Sequence, residues 1–167
     1  MPVKNPKELF VKMLSDVRQR TVKTTKIYEE LSEAAQDPNI KEALQSRAFI
    51  QEKTLASLDR CFTLIGEKPV PLTGRLQEVF LEDFRHELAE IQAPAAKALF
   101  ILIKANHLIH LHIAEYVALI AMADVTGHLG VGVLLESCLA DKLAFVERTR
   151  RLIRHTIEAK HDIRLAA

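Results

Sequence analysis

The chain has 167 residues, with 23 basic against 22 acidic side chains for a net charge of +1; 49% of it is apolar and 27% charged. That length suits one domain with a sizeable core, and the balanced charge asks for neither nucleic acid, an acidic substrate nor a membrane surface. Five Gly and six Pro leave little room for long loops, and the absence of Trp with only 5% aromatics argues against base-stacking platforms.

Helix signals follow in chain order. Asn5-Pro6 places an N-cap before a proline at the first helical position. Leu9, Met13, Leu14, Val17, Tyr28 and Leu31 then recur at helical spacing to about Ala35. Asp37-Pro38 repeats the start signal, Ile40, Leu44, Ala48, Leu55, Leu58, Phe62 and Ile65 form the next stripe, and Gly66 stops it. Glu67 to Thr73, with Pro69 and Pro71, is a connector. A shorter helix is expected from Gly74 to Ile91, burying Leu76, Val79, Phe80, Phe84, Leu88 and Ile91. Pro94 opens a fourth helix that ends near Gly127, and Gly127, Gly130 and Gly132 together predict a tight turn. Leu135, Leu139, Leu143, Val146 and Ile153 mark the last helix, which fades after Ala159 and leaves residues 160–167 as a flexible tail.

Ala98 to Ala123 is apolar enough to resemble a membrane span, but Lys104, Asn106, His107, His110, His112 and Glu115 interrupt it. One charge at a bilayer centre costs about 2.5–3.5 kcal/mol, so this segment is expected inside a protein, surrounded by other helices, with no membrane partner. Strand patterns and repeats are absent. Four long helices joined by short links, with a shorter helix in the one long connection, predict an all-α, ferritin-like four-helix bundle of antiparallel helices plus a crossover helix. It forms a single domain over residues 1–159. Cys61 and Cys138 each sit in an apolar helical pattern, as reduced, buried thiols do in a cytoplasmic protein. The opening Met-Pro-Val-Lys-Asn-Pro carries no secretory apolar region.

Three stretches carry a family likeness: the opening helix Leu9–Thr21, the Leu55–Pro69 segment ending Phe-Thr-Leu-Ile-Gly-Glu-Lys-Pro, and the His110–Tyr116 run followed by the glycine turn and Leu134-Leu135. They resemble the YciE/YciF-like ferritin-like proteins over nearly the whole chain. The resemblance implies a ferritin fold, a homodimer, a stress-associated bacterial role and a two-metal site between the long helices. It sets the family's first-helix Glu on Thr21 and its second-helix Glu on Glu52, with the partner Gln or His near Thr54. The fourth-helix Glu-His-x-Glu becomes Ile109, His110, Leu111 and His112, and the last helix's acidic pair becomes Asp141 and Lys142. The implied ligand set is therefore largely replaced.

The residues themselves speak against a standard dimetal site. Such sites need a carboxylate from each of two helices and Glu-x-x-His from the other two. Here Glu52 is followed three residues on by Leu55, and Asp141 by Ala144. At 100° per residue, His110 and His112 lie about 160° apart and cannot serve one site. His112 and Glu115 share a face, and His107 and His110 share another, suited to an interface or to hydrogen bonds. Glu52, His112, Glu115 and Asp141 could hold one Fe, Mn or Zn ion. They could equally form a hydrogen-bonded polar layer left from an ancestral site, or face solvent or a dimer partner. Asp83-x-x-His86 has ligand spacing but suits a solvated face.

Six basic residues near the end (Arg148, Arg150, Arg151, Arg154, Lys160 and Arg164) meet Glu147, Glu158 and Asp162. Cations there offset the helix dipole; an acidic or nucleic-acid partner is the alternative. No nucleophile motif or phosphate-cradling loop is present. The sequence thus supports a non-catalytic, structural or stress-related ferritin-like homodimer, with a rearranged metal-binding oxidase and a basic binding module as alternatives.

Overall fold

A computed structural model of the chain describes residues 3–72 and 75–165, with residues 159–165 as backbone only. Thr73 and Gly74, at the expected start of the short helix, and Ala166 and Ala167 lie outside the described residues, as do the side chains of Lys160, His161, Asp162 and Arg164. Five helices follow one another: α1 (Pro6–Ala34), α2 (Pro38–Ile65), α3 (Leu76–Glu90), α4 (Pro94–Val125) and α5 (Leu129–Leu165). The last continues past the point where its apolar pattern fades.

The caps act as their chemistry dictates. Asn5 Oδ1 accepts from Glu8 N at 2.9 Å, while Asn5 Nδ2 donates to Glu8 Oε1 at 2.8 Å. Asp37 Oδ1 accepts from the backbone of Asn39 and Ile40 at 2.8 and 3.2 Å, which satisfies donors the first turn leaves free. Gly66 closes α2 in the left-handed region at φ 68°, and Glu67 N then reaches Phe62 O at 3.2 Å. The α4–α5 turn is shorter than expected. Only Gly127, at φ 74°, takes the left-handed conformation, while Gly130 and Gly132 lie in the first turn of α5. A Cβ on Gly132 would stand 3.2 Å from Oδ1 of the exposed Asp124 side chain, a tight contact between the two helix ends.

α1 packs on α2, α4 on α5, α2 on α5 and α1 on α4, while α3 lies outside across α1 and α4. The result is the ferritin-like four-helix bundle with one short crossover helix. Leu76 and Val79 of α3 are exposed rather than buried. This helix rests on the bundle through Phe80, Phe84 and Leu88, with the Phe84 ring stacked on Phe100 at 5.8 Å. Glu87 with Lys104 at 2.6 Å, Arg85 with Glu30 and Glu78 with Lys23 at 2.9 Å tie down its flanks.

Inside, the buried residues step by three and four. On α1 they are Phe10, Leu14, Val17, Thr21, Thr24, Tyr28 and Leu31. On α2 the seam is Ile40, Leu44, Arg47, Gln51, Thr54, Leu58 and Cys61. On α4 it is Leu102, Ala105, Ile109, His112, Tyr116, Leu119 and Ala123, and on α5 it is Val131, Leu135, Cys138, Lys142, Phe145 and Thr149. This is the seven-residue spacing of a coiled bundle. It corrects two expected core positions: Leu9 and Leu143 are exposed, the latter by 50%, because the seams take Phe10 and Lys142 instead.

The seams build two apolar clusters. One joins Phe10, Val17, Leu58, Tyr116, Leu135 and Cys138 at one end; the other joins Ile27, Leu44, Ile101, Ile109 and Phe145 at the far end. Both cysteines are free and buried. By guanidinium denaturation, Leu44→Ala should cost about 2–5 kcal/mol. Gly66→Ala should cost about 1–2 kcal/mol through its left-handed backbone, and Leu143→Ala should stay within about 0.5 kcal/mol.

Candidate functional site

Between the two apolar clusters the seams turn polar. Thr21 and Thr24 come from α1, Arg47, Gln51 and Thr54 from α2, His112 from α4 and Lys142 from α5, all buried. Each sits there because the seven-residue repeat selects its position, whatever its chemistry. Thr21 and Thr54 return their hydroxyls to the carbonyls of Val17 and Ile50. Thr24 Oγ1 donates to Arg20 O at 2.6 Å and lies 3.4 Å from His112 Nε2. With its proton so committed, Thr24 can only accept, which assigns the Nε2–H tautomer to His112.

The layer is cationic. Arg47 is 1% exposed and Lys142 0%. Arg47 Nη2 donates to Gln51 Oε1 at 3.0 Å, and its guanidinium lies about 6 Å from the Tyr28 and Phe145 rings (5.9 and 6.0 Å). The Lys142 ammonium sits 4.0 Å from the centre of the Tyr116 ring, a cation–π contact. Among the described residues, no Asp or Glu is buried. Burial first and Arg47 second pull the Lys142 pKa down to about 7, against weaker opposing pulls from Cys138 and Asp141. Burial pushes Tyr28 up to about 12 and Tyr116 well above its ordinary value, so both phenols stay protonated. Cys61 likewise rises to about 12, chiefly through burial.

The four residues named as possible metal ligands part company. His112 is in the layer. Glu115 is half-buried on the same helix and pairs with Arg20, which also binds Asp16 at 2.7 Å. Asp141 is half-buried and faces Lys53 Nζ at 3.4 Å. Glu52 is exposed, one position off the seam that Gln51 occupies. Among the described residues, no three His, Cys, Asp or Glu side chains converge as a metal-ligand group. The side chains that do converge, Arg47, Gln51, Tyr116 and Lys142, carry no motif. Counting the repeat forward from Leu135 and Cys138 would have found Lys142, and counting from Ile40 and Leu44 would have found Arg47 and Gln51. His107 and His110 are exposed on the outer side of α4. Arg148 pairs with Glu42 at 3.0 Å, and Arg150 and Arg151 share Glu147.

Burial is the largest cause of the fall in the His112 pKa to about 3, and Lys142, Arg47 and Arg20 add repulsion. The unfolded imidazole takes up its proton near pH 6.5, well before the folded one does. Unfolding then binds a proton, so stability falls as pH drops from about 6.5 toward about 3, by about 1.4 kcal/mol per unit. His112→Gln should lack that component, as pH-resolved denaturation of the two proteins would show.

Comparison with known proteins fits this architecture. The family model described as "Domain of unknown function (DUF892)" matches residues 5–161. The E. coli stress protein YciF superposes with a TM-score of 0.87 at 18% identity, covering 93% of this chain and 99% of its own. YcfI from Rhodopseudomonas palustris gives 0.80 at 22% identity, covering 89% and 94%. A protein from Xanthomonas campestris pv. campestris gives 0.70 at 18%, covering 94% and 99%. No curated protein matches the chain. With the family model spanning nearly all of its length and the same helical bundle in its structural neighbours, the chain belongs to the DUF892 family of YciE/YciF-like ferritin-like proteins.

Proposed function

We propose that this chain is a ferritin-like protein with a structural, stress-related role in the cytoplasm, acting as a homodimer, in which a buried cationic layer has replaced the dimetal site. The carrying observation is the pair of buried cations, Arg47 and Lys142, in a core where no Asp or Glu among the described residues is fully buried. Divalent metals in such bundles are held by bridging carboxylates. A fixed positive charge about 6 Å away instead repels a divalent ion by about 5 kcal/mol at an effective dielectric of about 20. Lys142 can shed its charge near neutrality, but Arg47 cannot. The donor set therefore does not fit the metal centre that the fold implies. YciF carries the description of a stress protein, which favours the same kind of role here.

Protein purified without tags or chelators should carry Fe, Mn and Zn far below one equivalent per chain, unchanged by Glu52→Ala or His112→Ala. Stoichiometric metal that disappears in either variant would overturn the reading and favour a rearranged oxidase.

The dimer reading rests on α4. Only a third of its most apolar window is buried. Its outer side exposes Ile103, His107, Leu111, Ala114, Val117 and Ala121, a stripe about 27 Å long without a formally charged side chain. Interface cores are depleted of charge, and an antiparallel second copy would meet no like-charge repulsion along that stripe. Light scattering should give twice the chain mass at micromolar concentration, and Leu111→Glu with Val117→Glu should give the monomer.

A further inference from the structure

Arg47 has more donors than the layer has acceptors. Only its Nη2 makes a well-formed hydrogen bond, to Gln51 Oε1, while Nε and Nη1 make none and the Tyr28 hydroxyl is the other acceptor beside it. Gln51 Nε2 and Lys142 Nζ are buried without a hydrogen-bond partner as well, and the buried hydroxyls of Tyr28 and Tyr116 have only Arg47 and Thr21 beside them, outside normal bonding geometry. These five side chains come from all four long helices, and none is more than 1% exposed. The Lys142 ammonium lies against the Tyr116 ring, and Arg47 acts electrostatically on Lys142, Tyr28, Tyr116 and His112 alike, so the groups share one region. The nearby acids are committed elsewhere: Glu115 to Arg20 and Asp141 to Lys53. The remaining unpartnered buried atom, Glu115 Oε2, belongs to that already paired carboxylate.

A buried charge without a counter-charge is among the most costly arrangements in a protein interior. Water would accept some of these hydrogen bonds but would leave the charge uncompensated. A monatomic anion does both: it accepts from several donors without demanding direction, and it offsets Arg47.

We propose that the polar layer holds a halide ion, chloride in the cell, bound by Arg47, Gln51 and Lys142 with the tyrosine hydroxyls beside it. The inference rests on the reading that no divalent metal occupies the core. It inverts the logic of a ferritin-like centre, with cationic side chains around an anion instead of carboxylates around cations.

Crystals of the untreated full chain soaked in sodium bromide provide the direct test. An anomalous bromide peak within bonding distance of Arg47 and Lys142 is expected; water alone there, or bromide only at the surface, overturns the proposal. In solution, replacing gluconate by chloride at constant ionic strength should raise the melting temperature by about 3–5 °C per tenfold once the site begins to saturate. Lys142→Met, of similar length and without charge, should flatten that dependence, and the same melting temperature in both salts for the unaltered chain overturns the proposal. Metal analysis of the same preparation separates the two readings. A metal-free core without halide sinks this inference alone, whereas stoichiometric metal in the layer sinks both.

Discussion

The seven-residue register of the four long helices is the constraint on which everything else depends. Each helix presents a seam stepping by three and four, and a side chain on that seam is enclosed whether or not it is apolar. At the two ends the seams supply Leu, Ile, Phe, Val and Ala, and the apolar clusters around Phe10 and Phe145 follow. At the middle the same geometry encloses Thr21, Gln51, His112 and Lys142. The apolar ends keep the helices together, so the polar centre need not stabilise the fold by itself. Its groups are tolerated in proportion to how well they satisfy one another, and the threonines do so best, returning their hydroxyls to the preceding turn.

Electrostatics then decides what the centre can do. Arg47 pushes Lys142, and both push His112, toward the neutral state. The lysine and the imidazole can comply by losing a proton; the guanidinium cannot. The aromatic rings of Tyr28, Phe145 and Tyr116 offer partial compensation through their faces. In the proposed reading, charge and donor type together set this core against divalent cations. A retained carboxylate would change that balance, and the nearest acids are instead drawn outward to Arg20 and Lys53.

Much of the fold was legible because its signals are local. Asn5-Pro6, Asp37-Pro38 and Pro94 announce helix starts that the structure honours, and Gly66 ends α2 as its lack of a Cβ allows. The glycine turn was harder, since Gly130 and Gly132 lie within α5 and only Gly127 takes the left-handed backbone, a division of roles that the spacing of the three glycines does not carry. The site was less legible still. Hydrophobicity puts Leu143 inside and Lys142 outside, and the structure does the opposite. Glu52 and Asp141 stood out by their chemistry and by family resemblance, yet each is one residue from the seam. Only the period, carried through the polar middle from its apolar ends, identifies Gln51 and Lys142.

That one-residue offset has a consequence for how such a core can change. Glu52 adjoins Gln51, and Asp141 adjoins Lys142. A single inserted or deleted residue upstream turns a helix by about 100° and would exchange which neighbour faces inward. The sign of the interior charge is therefore held by phase: a slip of one position on two helices would turn Glu52 and Asp141 inward, but the same slip would carry Leu44, Leu58 and Leu135 off their seams. Within this architecture the polar centre and the apolar ends share one phase, so the interior charge cannot be reversed by a slip without losing the clusters that hold the helices together.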